Sequence, residues 1–265
     1  MNTPAAVNGT RTGTGKPGLD PALWLRRFRP AQGAPRRLVC FPHAGGSASF
    51  YHPVAATHTP GTDVVVLQYP ARQDRRREPA ITDIDAYAEA VADVLTTQPP
   101  KPTIYFGHSM GAVIAYETAL LLAGTAHAPA SLVVSGRRAP ATTRDERVHE
   151  RDDAGLLAEL KRLNGTDSSL LDNDEILKMT LPSLRSDYRA IETYPTRPGR
   201  PLACPILSLV GDTDPKATPE EAGRWREHTS ADFRLRTFPG GHFFLTTAAA
   251  EVNAELAREL DGLKS

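Results

Sequence analysis

Cysteine is scarce in this chain of 265 residues, which contains only Cys40 and Cys204. Two cysteines cannot build a disulfide-stapled scaffold, and each lies in an apolar run that is typical of a small buried side chain. The sequence also lacks the C-x-x-C and H-E-x-x-H patterns that mark common metal sites. We therefore expect neither a disulfide framework nor a bound metal.

The chain also lacks net charge, because its 31 basic residues balance 31 acidic ones. Nucleic acids and anionic membrane surfaces bind a basic excess, so both partners are excluded for the chain as a whole. No apolar run approaches the length of about 18 residues that a membrane span needs. Residues 1–20 are polar and have no apolar signal-peptide core. These absences predict a cytoplasmic protein with a flexible N-terminal tail over residues 1–20.

What the sequence does contain is an alternation of strand-like and helix-like segments. Six short apolar runs, several of them rich in β-branched residues, are typical of strands buried on both faces of a parallel sheet. They cover residues 37–41, 64–69, 103–106, 131–135, 206–210 and 233–238. Helical patterns cover residues 84–95, 110–122 and 248–263. The alternation predicts one α/β domain over residues 21–265, with a doubly wound and mostly parallel sheet.

Residues 137–201 interrupt this alternation, because they contain no strand-like run. Helical patterns occur at 156–163 and at about 173–194, the second interrupted at Pro182. A structureless loop of this length would be unusual inside a compact domain, so we predict a helical insertion. Its place between two core strands suits a lid over a site, with a purely structural cover for the sheet as the alternative.

Residues 107–111 read Gly-His-Ser-Met-Gly, a G-x-S-x-G pentapeptide between a predicted strand and a long apolar helix. This strand–turn–helix context is the one that a nucleophile elbow requires. A sharp turn there would expose the hydroxyl of Ser109 above the sheet. The glycines would leave room for the neighbouring strand and helix. We therefore predict that Ser109 is a catalytic nucleophile.

A serine hydroxyl needs a base to take its proton, and this type of site places an acid and then a histidine after the serine. His242 follows the last predicted strand in a glycine-containing loop and is the candidate base. His228, in a polar helical segment, is predicted to be a surface residue. The acid should follow the strand at 206–210, where both Asp212 and Asp214 are candidates. Asp212 adjoins a glycine and could cap the turn, so residue chemistry alone favours Asp214 only slightly.

The tetrahedral intermediate of such a reaction needs two backbone donors for its oxyanion. One should follow the nucleophile, and the other should come from the loop after the first long strand. Residues 41–46 read Phe-Pro-His-Ala-Gly-Gly, so small residues would let backbone amides approach a substrate. We predict that the amides of Ala44 and Met110 form the oxyanion hole, with an ordinary glycine-rich turn as the alternative.

Together these segments resemble the type II thioesterases of polyketide and non-ribosomal peptide biosynthesis, which are α/β-hydrolases with a helical lid. The resemblance covers roughly residues 36–260. It rests on Phe-Pro-His-Ala-Gly-Gly at 41–46, Tyr-Pro-Ala-Arg at 69–72, the pentapeptide at 107–111, Leu-Pro-Ser-Leu-Arg-Ser-Asp at 181–187, Gly-Asp-Thr-Asp at 211–214 and Gly-Gly-His-Phe-Phe at 240–244. One small departure is Ala71, where the family often has glycine.

The resemblance implies that the acid is Asp214. It also implies a substrate, an acyl group in thioester linkage to the phosphopantetheine arm of an acyl or peptidyl carrier protein. No cofactor of the enzyme itself is implied. A monomer is expected.

Carrier proteins are typically acidic, so the basic loop that contains Arg72, Arg75, Arg76 and Arg77 is a candidate docking site, with a solvated loop as the alternative.

Two other functions are compatible with these residues. A small-molecule carboxylesterase or lipase could use the same three residues on oxygen esters. A non-catalytic partner of a biosynthetic complex could retain the scaffold without turnover, although a complete set of Ser109, Asp214 and His242 argues against it.

Overall fold

The computed structural model describes residues 19–163, 174–195 and 200–263. The predicted tail, residues 1–20, lies almost wholly outside these ranges. The strands are β1 (Leu25–Arg26), β2 (Arg37–Phe41), β3 (Asp63–Leu67), β4 (Thr103–His108), β5 (Ser131–Ser135), β6 (Ile206–Gly211) and β7 (Phe233–Phe238). All six predicted strands are confirmed, and β1 is an addition that the sequence pattern did not indicate.

The strands form one sheet in the order β1-β3-β2-β4-β5-β6-β7. Strand β1 pairs with β3 in antiparallel orientation, and every other neighbouring pair is parallel. Strand β4 lies at the centre of the sheet, with β2 and β5 beside it. The carboxyl ends of parallel strands meet at one edge, so the segments that follow β2, β4, β5, β6 and β7 share that edge.

Helices cover both faces of the sheet and occupy the insertion. They are α1 (Pro21–Trp24), α2 (His52–His58), α3 (Ile84–Thr96), α4 (Met110–Leu121), α5 (Asp153–Arg162), α6 (Asp174–Glu192), α7 (Pro219–Gly223), α8 (Phe244–Thr247) and α9 (Ala249–Asp261). The predicted helices at 84–95, 110–122 and 248–263 correspond to α3, α4 and α9. Within the described ranges, no helix is both long and apolar enough to cross a bilayer.

Strand β2 shows why the sheet needs helices on both faces. Val39 and Phe41 belong to the apolar cluster that includes α3 and α4, whereas Leu38 and Cys40 belong to the cluster that includes α9. All four side chains are fully buried. Successive side chains of a strand point to opposite faces, so a continuous apolar run is stable only between two layers of helices. The predicted doubly wound α/β architecture is confirmed.

The insertion contains the two predicted helices, α5 and α6. Helix α6 runs through Pro182 without a break, so the predicted interruption there is wrong. A proline inside a helix removes one backbone hydrogen bond. That loss is offset here because Leu181, Leu184 and Tyr188 pack into an apolar cluster with residues of the preceding segment.

Candidate active site

Ser109 lies in a sharp turn between β4 and α4. Its backbone has φ 55° and ψ −119°, a conformation that residues with a side chain rarely adopt. The Ser109 amide donates to the Ser135 carbonyl at 2.8 Å, which fixes the turn against the neighbouring strand β5. Such strain is retained only where the surrounding structure enforces it, and it often marks a functional site. The predicted strand–turn–helix around the pentapeptide is therefore present.

Two glycines make this turn possible. A Cβ at Gly107 would lie 2.3 Å from the Gly111 carbonyl oxygen, and a Cβ at Gly111 would lie 2.1 Å from the Phe41 carbonyl oxygen. Both distances are far below van der Waals contact, so only glycine fits at either position. The second contact also shows that the first turn of α4 packs directly against the carboxyl end of β2.

His242 contacts both Ser109 and Asp214. Its Nε2 lies 3.0 Å from the Ser109 hydroxyl oxygen. Its Nδ1 lies 3.0 Å from each oxygen of the Asp214 carboxylate. Asp214 and His242 are 5% and 2% exposed, so bulk water does not compete strongly for these hydrogen bonds. The structure thus brings together the three residues that the sequence singled out from separate segments.

The two candidate acids have different partners. Asp212 accepts a hydrogen bond from the Gly240 amide at 2.8 Å, which holds the turn before His242. Asp214 accepts a hydrogen bond from the Lys216 amide at 2.8 Å in addition to its contact with His242. This second bond fixes the carboxylate while its oxygens face the imidazole. The geometry therefore supports Asp214 as the acid and gives Asp212 a structural part in shaping the loop.

The loop after β2 lies beside the turn that carries Ser109. Strand β2 pairs with β4 so that Phe41 is opposite Gly107, which directs residues 42–46 toward the start of α4. Met110 is the first residue of α4, where a helix leaves its amides without intrahelical partners. Among the described residues, neither the Ala44 nor the Met110 amide donates a hydrogen bond to another backbone group. Both amides remain candidates for the oxyanion hole.

Two further histidines, His108 and His43, lie near His242, and sequence analysis did not assign a role to either. The ring centroid of His108 lies 4.9 Å from that of His242, and the centroid of His43 lies 5.8 Å from that of His108. Burial, with a further contribution from His242, lowers the pKa of His43 to about 3 and that of His108 well below its ordinary range. Both rings are therefore neutral at physiological pH and pack against the site without adding charge.

The basic loop differs from the prediction. Arg72 is buried and paired with Asp187, and Arg75 is buried and paired with Glu78 at 2.6 Å. Neither guanidinium is available to a docking partner, so the predicted docking role is wrong for these two residues. Charged side chains are stable in the interior when an opposite charge compensates them, which the spacing of arginines alone does not reveal. Arg76 and Arg77 are exposed.

His228 is fully buried, so the prediction that it lies on the surface is wrong. Its Nδ1 lies 3.1 Å from the Tyr116 hydroxyl, and its ring packs edge-on against that phenol and near the Trp225 indole. Burial is the main reason that its pKa falls to about 4. His228 is a packed core histidine and takes no part in the site.

Neither the two cysteines nor any cluster of potential metal-binding side chains in the described ranges forms a second candidate catalytic site. Burial raises the pKa of the Cys204 thiol to about 11 and that of Cys40 further still, so neither is a thiolate nucleophile at neutral pH. Over the three described ranges, no cluster of histidine, cysteine and acidic side chains is suited to a metal ion. Ser109 remains the candidate nucleophile.

A strained serine lies in a strand–turn–helix, a histidine contacts the serine, and a buried carboxylate contacts the histidine. This arrangement defines a serine-hydrolase type of site on an α/β-hydrolase fold. A family model described as a thioesterase domain matches residues 36–260. The chain therefore belongs to the thioesterase family.

Individual relatives agree with this assignment. The chain is 56% identical over 239 residues to a probable cadicidin biosynthesis thioesterase of Streptomyces griseus, covering 90% of this chain and 66% of that protein. It is 46% identical to thioesterase PikA5 of Streptomyces venezuelae, covering 91% of this chain and 87% of that protein. The structure of the type II thioesterase BorB from the borrelidin cluster matches with a TM-score of 0.83 and 45% identity, covering 90% of this chain and 98% of that one. The predicted resemblance to type II thioesterases is confirmed.

Proposed function

We propose that this thioesterase hydrolyses acyl groups from the phosphopantetheine arm of an acyl or peptidyl carrier protein in polyketide or non-ribosomal peptide biosynthesis. The observation that carries the catalytic part is the contact of His242 with Ser109 and Asp214, each at 3.0 Å. The substrate class is supported by the names of two proteins that this chain resembles: the Streptomyces griseus relative is named for cadicidin biosynthesis, and BorB is a type II thioesterase from the borrelidin biosynthetic cluster. No cofactor takes part in the proposed reaction.

In the first half of the reaction, the Ser109 hydroxyl attacks the thioester carbonyl carbon. His242 Nε2 takes the hydroxyl proton as the new carbon–oxygen bond forms. The carbonyl π electrons move to oxygen, and the resulting oxyanion accepts hydrogen bonds from the Ala44 and Met110 amides. The carbon–sulfur bond then breaks, and the pantetheine sulfur leaves with the proton from His242. An acyl group now esterifies Ser109.

In the second half, His242 takes a proton from water, which attacks the acyl-serine carbonyl. The same two amides hold the second oxyanion. When the intermediate collapses, the Ser109 oxygen recovers a proton from His242 and the free acid departs. Throughout, Asp214 keeps the Nδ1 proton of His242 in place and stabilises the imidazolium that forms in each half. The carrier arm is returned as a free thiol.

Hydrolysis of matched substrates tests this proposal. The wild-type protein and a Ser109→Ala control are assayed on butyryl carrier protein, butyryl-pantetheine and the ethyl ester of butyric acid. We expect turnover of the thioesters, highest on the carrier, and a background rate with Ser109→Ala. A clear preference for the oxygen ester would favour a carboxylesterase or lipase. Folded protein that neither hydrolyses these substrates nor reacts with a fluorophosphonate at Ser109 would favour a non-catalytic partner.

The exposed part of the basic loop, Arg76 and Arg77, is proposed as a contact for an acidic carrier protein. The matched comparison is between the double variant Arg76→Glu/Arg77→Glu and the double variant Arg29→Glu/Arg226→Glu, which changes net charge equally at other exposed positions. We expect only the first to raise KM for the acyl carrier protein, to flatten its salt dependence, and to leave KM for acyl-pantetheine unchanged. Equal KM values for the two variants on the carrier would exclude a docking role.

A further inference from the structure

Asp187 connects the insertion to the loop that follows β2. It lies on helix α6 and is fully buried. Its Oδ2 accepts a hydrogen bond from the Gly45 amide at 2.7 Å, and its Oδ1 accepts one from the Tyr87 hydroxyl at 2.9 Å. The Arg72 guanidinium forms an ion pair with the same carboxylate. One side chain of the insertion therefore holds a backbone amide next to the proposed oxyanion donor.

The hydrogen bonds of this loop fix the direction of the Ala44 amide. The Gly46 amide donates to the His43 carbonyl at 2.9 Å, and that carbonyl shares a planar peptide unit with the Ala44 N–H. In a trans peptide the C=O and N–H point in opposite directions, so this bond turns the Ala44 N–H away from Gly46. The following peptide unit, between Ala44 and Gly45, is held by Asp187. Both units that flank the Ala44 Cα are thus fixed.

The Asp187 carboxylate, which accepts the Gly45 amide, is itself held by a fixed partner, Arg72. Arg72 donates a hydrogen bond to the Pro70 carbonyl at 2.9 Å, and its guanidinium carbon lies 5.1 Å from the centre of the Tyr69 ring. Beside the carboxylate, Leu184 of the same helix packs so closely on Gly45 that a Cβ there would lie 2.7 Å from the leucine Cδ1. Helix α6 and the loop are therefore in direct contact at Gly45.

We propose that Asp187 is a positioning residue of the oxyanion hole. By accepting the Gly45 amide, it orients the neighbouring Ala44 amide toward the oxyanion, so helix α6 completes the catalytic machinery besides covering the sheet. This inference rests on the role that the proposed function gives to Ala44. Its physical basis is that a displacement of about 1 Å in a catalytic group costs around a hundredfold in rate.

A matched pair of double variants distinguishes the orientation of the Gly45 amide by residue 187 from the effect of losing the Arg72–Asp187 ion pair. Arg72→Met/Asp187→Asn and Arg72→Met/Asp187→Leu both remove the buried ion pair, but only asparagine keeps an oxygen that can accept the Gly45 amide. We expect kcat on p-nitrophenyl butyrate to fall about a hundredfold in the leucine variant and no more than about fivefold in the asparagine variant. KM should stay within about threefold in both, because the ground state makes little use of the oxyanion hole.

Affinity for a trifluoromethyl ketone provides a second readout, because its adduct with Ser109 places a negative oxygen in the oxyanion hole. The leucine variant should bind this inhibitor about a hundredfold more weakly than the asparagine variant. The control is Arg185→Ala, which removes the contact of α6 with Asp153 at 2.7 Å and the hydrogen bonds to the His149 and Arg151 carbonyls, but leaves the Gly45 contact in place. It should retain inhibitor affinity. Melting temperatures establish that each variant is folded.

The results distinguish this inference from the proposed function. If the leucine and asparagine variants lose kcat equally, or if Arg185→Ala weakens the inhibitor as much as the leucine variant does, Asp187 is a structural anchor only and the inference is wrong. If the wild-type protein hydrolyses p-nitrophenyl butyrate but no thioester, the proposed function fails. The comparison of the two double variants still decides the role of Asp187.

Discussion

The Asp212 carboxylate accepts a hydrogen bond from the Gly240 amide at 2.8 Å and thereby shapes the loop that presents His242 to Asp214. The two aspartates of this short loop thus have different roles: Asp212 stabilises the fold of the loop, and Asp214 faces the imidazole.

The two aspartates should respond very differently to the same substitution. Asp214→Asn should lower kcat on a thioester about ten-thousandfold, because an amide favours the wrong tautomer of His242 and cannot stabilise the imidazolium. Asp212→Asn should change kcat less than about fivefold, because the asparagine carbonyl can still accept the Gly240 amide. Steady-state kinetics of both variants measure the difference. Comparable losses would show that the assignment of the acid to Asp214 is wrong.

The turn that carries Ser109 should tolerate no side chain at Gly111. Gly111→Ala would place a Cβ 2.1 Å from the Phe41 carbonyl oxygen, so either α4 or β2 must move. We expect a loss of about 3 kcal/mol or more in the free energy of unfolding, together with loss of fluorophosphonate labelling at Ser109. Urea unfolding measures the first effect, and mass spectrometry measures the second.

Gly61→Ala is the matched control for this substitution, because nothing lies within 4 Å of a Cβ at Gly61. It should leave both stability and labelling close to the wild-type values. If Gly111→Ala behaves in the same way, the packing of α4 against the end of β2 is not what limits this position.

The sheet and the turn that carries Ser109 could be predicted from the sequence because their signals are local. A continuous apolar run such as Val64–Leu67 indicates a strand buried on both faces, and the glycines around Ser109 indicate a tight turn between strand and helix. Strand β1 could not be found in this way, since its two residues give no periodic pattern and owe their conformation to pairing with β3.

The burial of Arg72 and of His228 could not be predicted, because the polar group that each one contacts is distant in the chain. The partner of Arg72 is Asp187, 115 positions away, and the partner of His228 is Tyr116, 112 positions away. A polar residue in a polar segment is usually exposed, so the sequence favoured the surface for both. Only the fold brings these partners into contact. The same is true of Asp187 on helix α6 and the Gly45 amide.

The buried histidine His228 should make stability depend on pH. Its pKa is about 4 in the folded protein, against an ordinary value of 6.5. Between these values the unfolded chain binds more protons than the folded one, so the free energy of unfolding falls as pH decreases from 6.5 to 4. At and above neutral pH the group contributes no slope. His228→Gln should reduce this slope within the window by as much as about 1.4 kcal/mol per pH unit.

Urea unfolding at several pH values between 4 and 7 measures the slope for the wild-type and variant proteins. An identical slope in wild type and His228→Gln would mean that His228 takes up its proton without loss of native packing.

Lys216 should stabilise the insertion more than an exposed ion pair does. Its side chain is 6% exposed, and its ammonium lies 3.0 Å from Glu146 and 2.6 Å from Glu159 of helix α5. Burial opposes ionisation of Glu159, but hydrogen bonds from Arg162 and Lys216 lower its pKa to about 2, so the carboxylate stays charged. Lys216→Met would leave two carboxylates with fewer compensating charges. We expect the free energy of unfolding to fall by about 3 kcal/mol.

Asp145→Asn is the comparison for this prediction, because the ion pair of Asp145 with Arg147 is largely exposed and should contribute little to the free energy of unfolding. Limited proteolysis provides a second measurement, since release of α5 should expose residues 151–163 to cleavage in Lys216→Met but not in Asp145→Asn. Because the Lys216 backbone amide still holds Asp214 after the substitution, kcat should change less than stability does. A large loss of kcat in fully folded Lys216→Met would instead show that the side chain controls the position of Asp214.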